Sequence, residues 1–96
     1  MSPLNKKKLS KIRNKLDKLD NKLINLIKRR TILVNEVLKL KELKKDIIDK
    51  KRIHLILKKV RNKSIKNKID PKITNRIWKN MIWGYIDYEK RNFKKK

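Results

Sequence analysis

The sequence lacks most of the residue types on which redox chemistry and metal binding depend. It has no cysteine and a single histidine, which excludes disulfides, thiolate nucleophiles and Cys-based zinc sites and argues against a His-rich metal site. We therefore expect no metal and no other cofactor. No apolar run approaches the ~18 residues of a membrane span, and no apolar stretch follows the basic start. We accordingly expect a cytoplasmic protein with neither a transmembrane helix nor a secretory signal.

Acidic residues are also scarce, so the chain is strongly basic. Lys and Arg total 32 against 9 acids in 96 residues, and the formal net charge is +23. This charge is typical of nucleic-acid-binding proteins. However, Lys (25), Ile (14) and Asn (10) have A/T-rich codons, alanine is absent, and the lysines are spread over all segments. Genomic base composition is therefore a competing explanation, and a basic helical nucleic-acid-binding protein is our third hypothesis.

Apolar residues recur at helical spacing in three segments. The first runs from Leu9 to Leu40 in alternating steps of three and four, and Ser2-Pro3 before it is typical of a helix start. A second helix is expected over about 46–65, and a third begins at Asp70-Pro71. The basic tail at 94–96 is expected to fray. The sequence predicts an all-α fold of three helices in a single domain, residues 1–96, with its core at about 9–93.

The length of the first helix predicts an assembly. About 38 residues span roughly 57 Å at 1.5 Å per residue, whereas a compact 96-residue monomer has a radius of gyration of about 12–13 Å. Such a helix would project from its own chain with its apolar stripe exposed. An intertwined homodimer resolves this, because each long helix then packs against its two-fold mate. A monomeric coiled-coil fragment that awaits another partner is the alternative.

Cations occupy positions of the first helix where apolar residues are expected. Arg30 lies in the apolar stripe with no acid three or four residues away, and Lys41 follows three helical turns later. Arg13 lies about 25 Å from Arg30 along the helix axis, from the helical rise. The two cannot share a site on the same helix, but antiparallel packing against a dimer mate could bring Arg13 to the site of Arg30.

Further polar residues border the other two apolar stripes. Arg52 borders the apolar face of the second helix, and Tyr85 and Glu89 lie one turn apart within the stripe of the third. A single arginine beside a core is usually a snorkelling side chain. Several cations that converge on a helical core without matching acids instead indicate an anionic ligand with carboxylates or phosphates. The residues leave both interpretations open.

The pattern as a whole resembles the all-helical (AroQ-class) chorismate mutases. The segments that carry the resemblance are Ile12-Arg13, Leu19-Asp20, Arg29-Arg30, Lys41, Asp49-x-x-Arg52, Ile69-Asp70-Pro71 and Arg76-Ile77-Trp78. The resemblance extends over about residues 9–93. It implies an intertwined homodimer of three-helix chains with two shared active sites that rearrange chorismate to prephenate, on the route to phenylalanine and tyrosine, without a cofactor.

The resemblance also implies which cations bind the substrate dianion. Arg30, Lys41 and Arg52 of one chain and Arg13 of the other are expected to hold the two carboxylates and the ether side of chorismate. Lys41 is the leading catalytic residue at the ether oxygen, with Arg30 and a protonated Glu89 beside it. The expected partner is therefore a small dianion, and neither a membrane nor a nucleic acid is expected to bind this site.

The remaining site residues leave the substrate open. The resemblance places Asp49 near the ring hydroxyl, Tyr85 where the family often has Ser, and Glu89 where it has Gln or Glu; Asp20 matches an acid that is expected to be structural. The family usually has Glu directly after the second-helix arginine, and this chain has Ile53. The related isochorismate pyruvate lyases have an apolar residue there and a tyrosine at the position of Tyr85. That lyase activity is therefore our alternative prediction.

Overall fold

The computed structural model describes residues 1–95, and its regular structure is entirely helical. Helix α1 runs over Pro3–Leu40, a short 3₁₀ turn over Lys44–Ile47, α2 over Lys50–Lys66 and α3 over Pro71–Asn92. No strand occurs among the described residues, which confirms the all-α prediction. The tail was expected to fray at 94–96; α3 ends before it, and Lys96 lies outside the described residues.

The first helix begins and ends for local reasons. The hydroxyl of Ser2 accepts a hydrogen bond from the backbone N–H of Asn5 at 3.2 Å, and Pro3 occupies the first helical position. At the other end the N–H of Lys41 donates to the carbonyl of Leu38 at 3.2 Å, a tighter turn that closes the helix. The helix has 38 residues, the length that the sequence predicts.

The chain divides into two compact units, and the first, Met1–Val34, consists of most of α1. Six of its large apolar side chains, which follow the apolar repeat of α1, are between 51 and 59% exposed: Ile12, Leu16, Leu19, Leu23, Leu26 and Leu33. A contiguous apolar face of this kind is typical of a surface that packs against another protein chain.

The second unit begins at Asn35 and contains the hydrophobic core. Leu38 from the end of α1, Ile47 from the 3₁₀ turn, and Ile82 and Ile86 from α3 are buried together. Partly buried side chains surround them: Ile48, Ile53, Ile56, Leu57 and Phe93. All the regular elements of this unit thus contribute to one small core.

The start of the second helix differs from the predicted position near residue 46. The carboxylate of Asp46 accepts the N–H of Leu43 at 3.0 Å and stabilises a 3₁₀ turn, in which Ile47 is buried. Asp49 then caps α2 by accepting the N–H of Arg52 at 3.0 Å. Aspartate side chains compete with helical backbone bonds in this way. The hydrogen bonds of Asp46 and Asp49 therefore divide into a 3₁₀ turn and a helix the stretch that the apolar repeat predicts as a single helix.

Candidate active site

The central feature of the second unit is a buried ion pair between Lys41 and Glu89. Lys41 lies immediately after α1, Glu89 lies in the last turns of α3, and the Lys41 Nζ to Glu89 Oε1 distance is 3.1 Å. The side chain of Lys41 is 18% exposed and that of Glu89 is 7% exposed. The ammonium can donate three hydrogen bonds, so two donors remain when one is directed at the carboxylate.

Apolar and aromatic residues of α3 lie on the same side of the helix as Glu89. Tyr85 is half-buried and Ile86 buried one helical turn before Glu89, and Ile82 is buried two turns before it. Because little water reaches this pair, its charges are screened less than the many surface charges of the chain. In such surroundings the electrostatic attraction between an ammonium and a bound anion is stronger than at the protein surface.

The structure places Asp49 and Arg52 at the exposed start of α2. The carboxylate of Asp49 is engaged as the helix cap, and the side chain of Arg52 is exposed. Ile53 packs against the core, so this residue, and not Arg52, is the one that borders it. Arg52 was expected beside the apolar face of the second helix, but in the single chain its side chain is exposed to solvent.

The remaining predicted site residues lie in the first unit. Arg30 is half-buried, while Arg13 is exposed and seventeen residues earlier on the same helix, about 25 Å along the axis. Asp20, expected to be structural, is exposed. One chain therefore does not bring Arg13 and Arg30 together.

Two contacts near the ion pair involve residues that the sequence did not single out as site residues. The hydroxyl of Tyr88 donates to Asn35 Oδ1 at 2.9 Å, and the ammonium of Lys95 donates to the carbonyl of Lys39 at 2.6 Å. Tyr88 is interpretable from sequence as a packing residue. Nothing in the spacing of Asn35 or Lys95 indicates these bonds, because each joins residues more than fifty positions apart.

Among residues 1–95, no group of three or more His, Cys, Asp or Glu side chains is arranged to hold a metal ion. In the same range no helix combines the length and apolarity that crossing a membrane requires. The fold and the pair define an all-helical protein with a partly dry, lysine-containing site.

A comparison with known families identifies the class more closely. Residues 12–90 match the family chorismate mutase type II, which is the all-helical class. The match extends over most of the chain, so the protein belongs to this family, and the resemblance found in the sequence is confirmed. No curated protein and no solved structure gave a significant match.

Proposed function

We propose that this protein is a chorismate mutase, which rearranges chorismate to prephenate. The observation that carries the proposal is the buried pair of Lys41 and Glu89 in a chain of the chorismate mutase type II family. Its place on the route to phenylalanine and tyrosine, and the cytoplasmic location expected from the sequence, belong to the same proposal.

The reaction explains why a site without nucleophile, metal or cofactor is sufficient. The rearrangement is unimolecular and pericyclic, so the protein has to hold the dianion in a reactive, chair-like shape. It must also stabilise the negative charge that develops on the ether oxygen as the C–O bond breaks. The ammonium of Lys41, held by Glu89 with two donors remaining, suits this second task.

Glu89 can contribute in either of its protonation states. As a carboxylate it accepts from Lys41 and fixes the position of the ammonium, which is the arrangement in the structure. As a carboxylic acid it could donate a hydrogen bond to the ether oxygen. These two roles predict opposite responses to removal of the charge, which the Glu89→Gln variant described below distinguishes.

We further propose that the active protein is an intertwined homodimer with shared sites. The half-exposed apolar face of the first unit supports pairing of the long helices from two chains. Arg30, Lys41 and Arg52 of one chain and Arg13 of its mate would then surround the substrate. The exposed guanidiniums of Arg13 and Arg52 suit the planar carboxylates of chorismate.

The substrate-recognition roles of the other residues are part of the proposal. We assign Asp49 and Tyr85 to the substrate, with Asp49 near the ring hydroxyl. Asp49 already caps α2, so its second carboxylate oxygen is the one that would serve the ligand.

A second candidate activity is supported by Ile53. Its side chain packs against the core, and no carboxylate follows Arg52 to contact a ring hydroxyl. An apolar residue at this position, together with Tyr85, is a feature that the chain shares with the isochorismate pyruvate lyases.

The nucleic-acid hypothesis needs its cations on the exterior, whereas Lys41 is mostly buried and paired.

The test is to incubate the purified protein with chorismate and, separately, with isochorismate, and to follow product formation. We expect prephenate from chorismate, and a loss of orders of magnitude in Lys41→Ala, because several kcal/mol of charge stabilisation are removed from a partly dry site. Lys44→Ala, which removes an exposed lysine from the 3₁₀ turn, is the matched control. Turnover of isochorismate alone would establish the lyase, and turnover of neither would refute both activities.

A further inference from the structure

Two long-range hydrogen bonds join the end of α1 to residues at and after the end of α3. One runs from the Tyr88 hydroxyl to Asn35 Oδ1 at 2.9 Å. The other runs from the Lys95 ammonium to the carbonyl oxygen of Lys39 at 2.6 Å. Asn35 and Lys39 are one helical turn apart, so both bonds hold the same end of α1.

The bonded residues are close in sequence to Lys41 and Glu89 and to the core residue Leu38. Tyr88 is the neighbour of Glu89, and Lys39 precedes Lys41 by two residues. Between the two anchoring positions on α1, Leu38 is buried in the core against α3 residues. One apolar contact and two polar bonds thus hold the last turn of α1 against α3 and the segment that follows it.

The carbonyl of Lys39 is a natural acceptor for a cation. It is among the last four carbonyls of α1, which have no acceptor role within the helix. An ammonium there also interacts favourably with the negative end of the helix dipole. Lys95 therefore caps α1 from a segment that follows α3.

The position of the Lys41 ammonium depends on this end of α1. Residues 41–43 are irregular, and the backbone of Lys41 is held by a single 3.2 Å bond to the carbonyl of Leu38. A displacement of the last turn therefore moves Lys41 relative to Glu89. Misplacement of a catalytic group by about 1 Å can cost ~100-fold in rate.

We propose that Asn35, Tyr88 and Lys95 are positioning residues, which clamp α1 to α3 so that Lys41 meets Glu89. The clamp rests on the proposed function for its effect on turnover, but not for its effect on the local structure. The proposal distinguishes Lys95 from the neighbouring lysines of the tail, because the bond to Lys39 gives it a specific structural role.

The first test compares two neighbouring lysines. Lys95→Met and Lys94→Met remove the same charge from the same exposed segment, and only Lys95 bonds to Lys39. We expect kcat to fall about tenfold in Lys95→Met with little change in KM, and to be unchanged in Lys94→Met. Lys95→Arg should restore most of the rate, because a guanidinium also donates to a carbonyl. Tyr88→Phe, which loses only the hydroxyl, should lower kcat similarly.

The second test does not depend on activity. Amide hydrogen exchange at Lys41, followed by NMR, reports whether the end of α1 stays closed. We expect severalfold faster exchange in Lys95→Met and Tyr88→Phe than in the wild type and in Lys94→Met, with circular dichroism unchanged. Equal exchange in all four proteins would overturn the clamp whether or not the protein turns over chorismate. Faster exchange with unchanged kcat in an active protein would overturn the positioning role, and an inactive wild type would refute only the proposed function.

Discussion

Replacing Lys41 by methionine should destabilise the fold as well as remove activity, because Glu89 then has a buried carboxylate without its cation. The two charged atoms are 3.1 Å apart, which corresponds to an attraction of about 5 kcal/mol at an effective dielectric constant of about 20. Breaking a buried pair by removing one partner typically costs 3–5 kcal/mol. Since the Lys41 side chain retains 18% exposure, water offsets part of this. We expect a loss of about 3 kcal/mol.

This loss is large enough to measure by thermal unfolding. For a domain of this size, about 1 kcal/mol corresponds to roughly 4–8 °C in Tm, so Lys41→Met should melt more than ~10 °C below the wild type. Lys44→Met removes an exposed lysine from the adjoining turn and should melt within a few degrees of the wild type. All proteins are compared at one concentration, because a dimer's Tm depends on it.

A double variant separates stability from chemistry. Lys41→Met/Glu89→Leu replaces the whole pair by apolar side chains, which is often neutral or stabilising. Its Tm should therefore recover most of the loss, while turnover of chorismate stays absent. The reasoning would be refuted if Lys41→Met had the same Tm as Lys44→Met, or if the Tm of the double variant were no higher than that of Lys41→Met.

Three further predictions concern the shared site, Glu89 and the packing of α2 against α3. Arg13→Ala and Arg30→Ala should each be nearly inactive, and mixing them under subunit exchange should restore activity, since one site of the heterodimer regains both arginines; verified heterodimers without activity would exclude a shared site. Glu89→Gln, which keeps a hydrogen-bond donor but carries no charge, should remain active at neutral pH if Glu89 acts as the donor; an inactive Gln variant would instead favour the carboxylate that holds Lys41. Ser64→Ala should lower the free energy of unfolding by about 1 kcal/mol without changing kcat, and chemical denaturation measures this. Ser64 is 3% exposed, and its hydroxyl forms hydrogen bonds with the Val60 carbonyl at 2.6 Å and the Thr74 hydroxyl at 2.7 Å.

Local chemistry was sufficient to predict where two of the helices begin. Ser2-Pro3 and Asp70-Pro71 each pair a capping side chain with a proline at the first helical position, and the structure shows both caps. The length of α1 followed because neither proline nor glycine interrupts its apolar repeat. The predicted start of α2 was about four residues too early. Asp46 and Asp49 are equally plausible helix caps in the sequence, but Ile47 is buried in a 3₁₀ turn that contains Asp46, and α2 begins only after Asp49.

Composition by itself determined the basic character, and the order of charged and apolar residues along the chain indicated the family and the set of candidate site residues. Periodicity could place Lys41 and Glu89 on apolar faces, but not opposite each other, because they are 48 residues apart. It could not distinguish the exposed Arg52 from the packed Ile53, since the two are adjacent in sequence and the helical repeat predicts both at the edge of the apolar stripe. The bonds of Asn35 to Tyr88 and Lys39 to Lys95 have no sequence signal. Only tertiary packing decides such contacts, because it alone determines which helix ends meet.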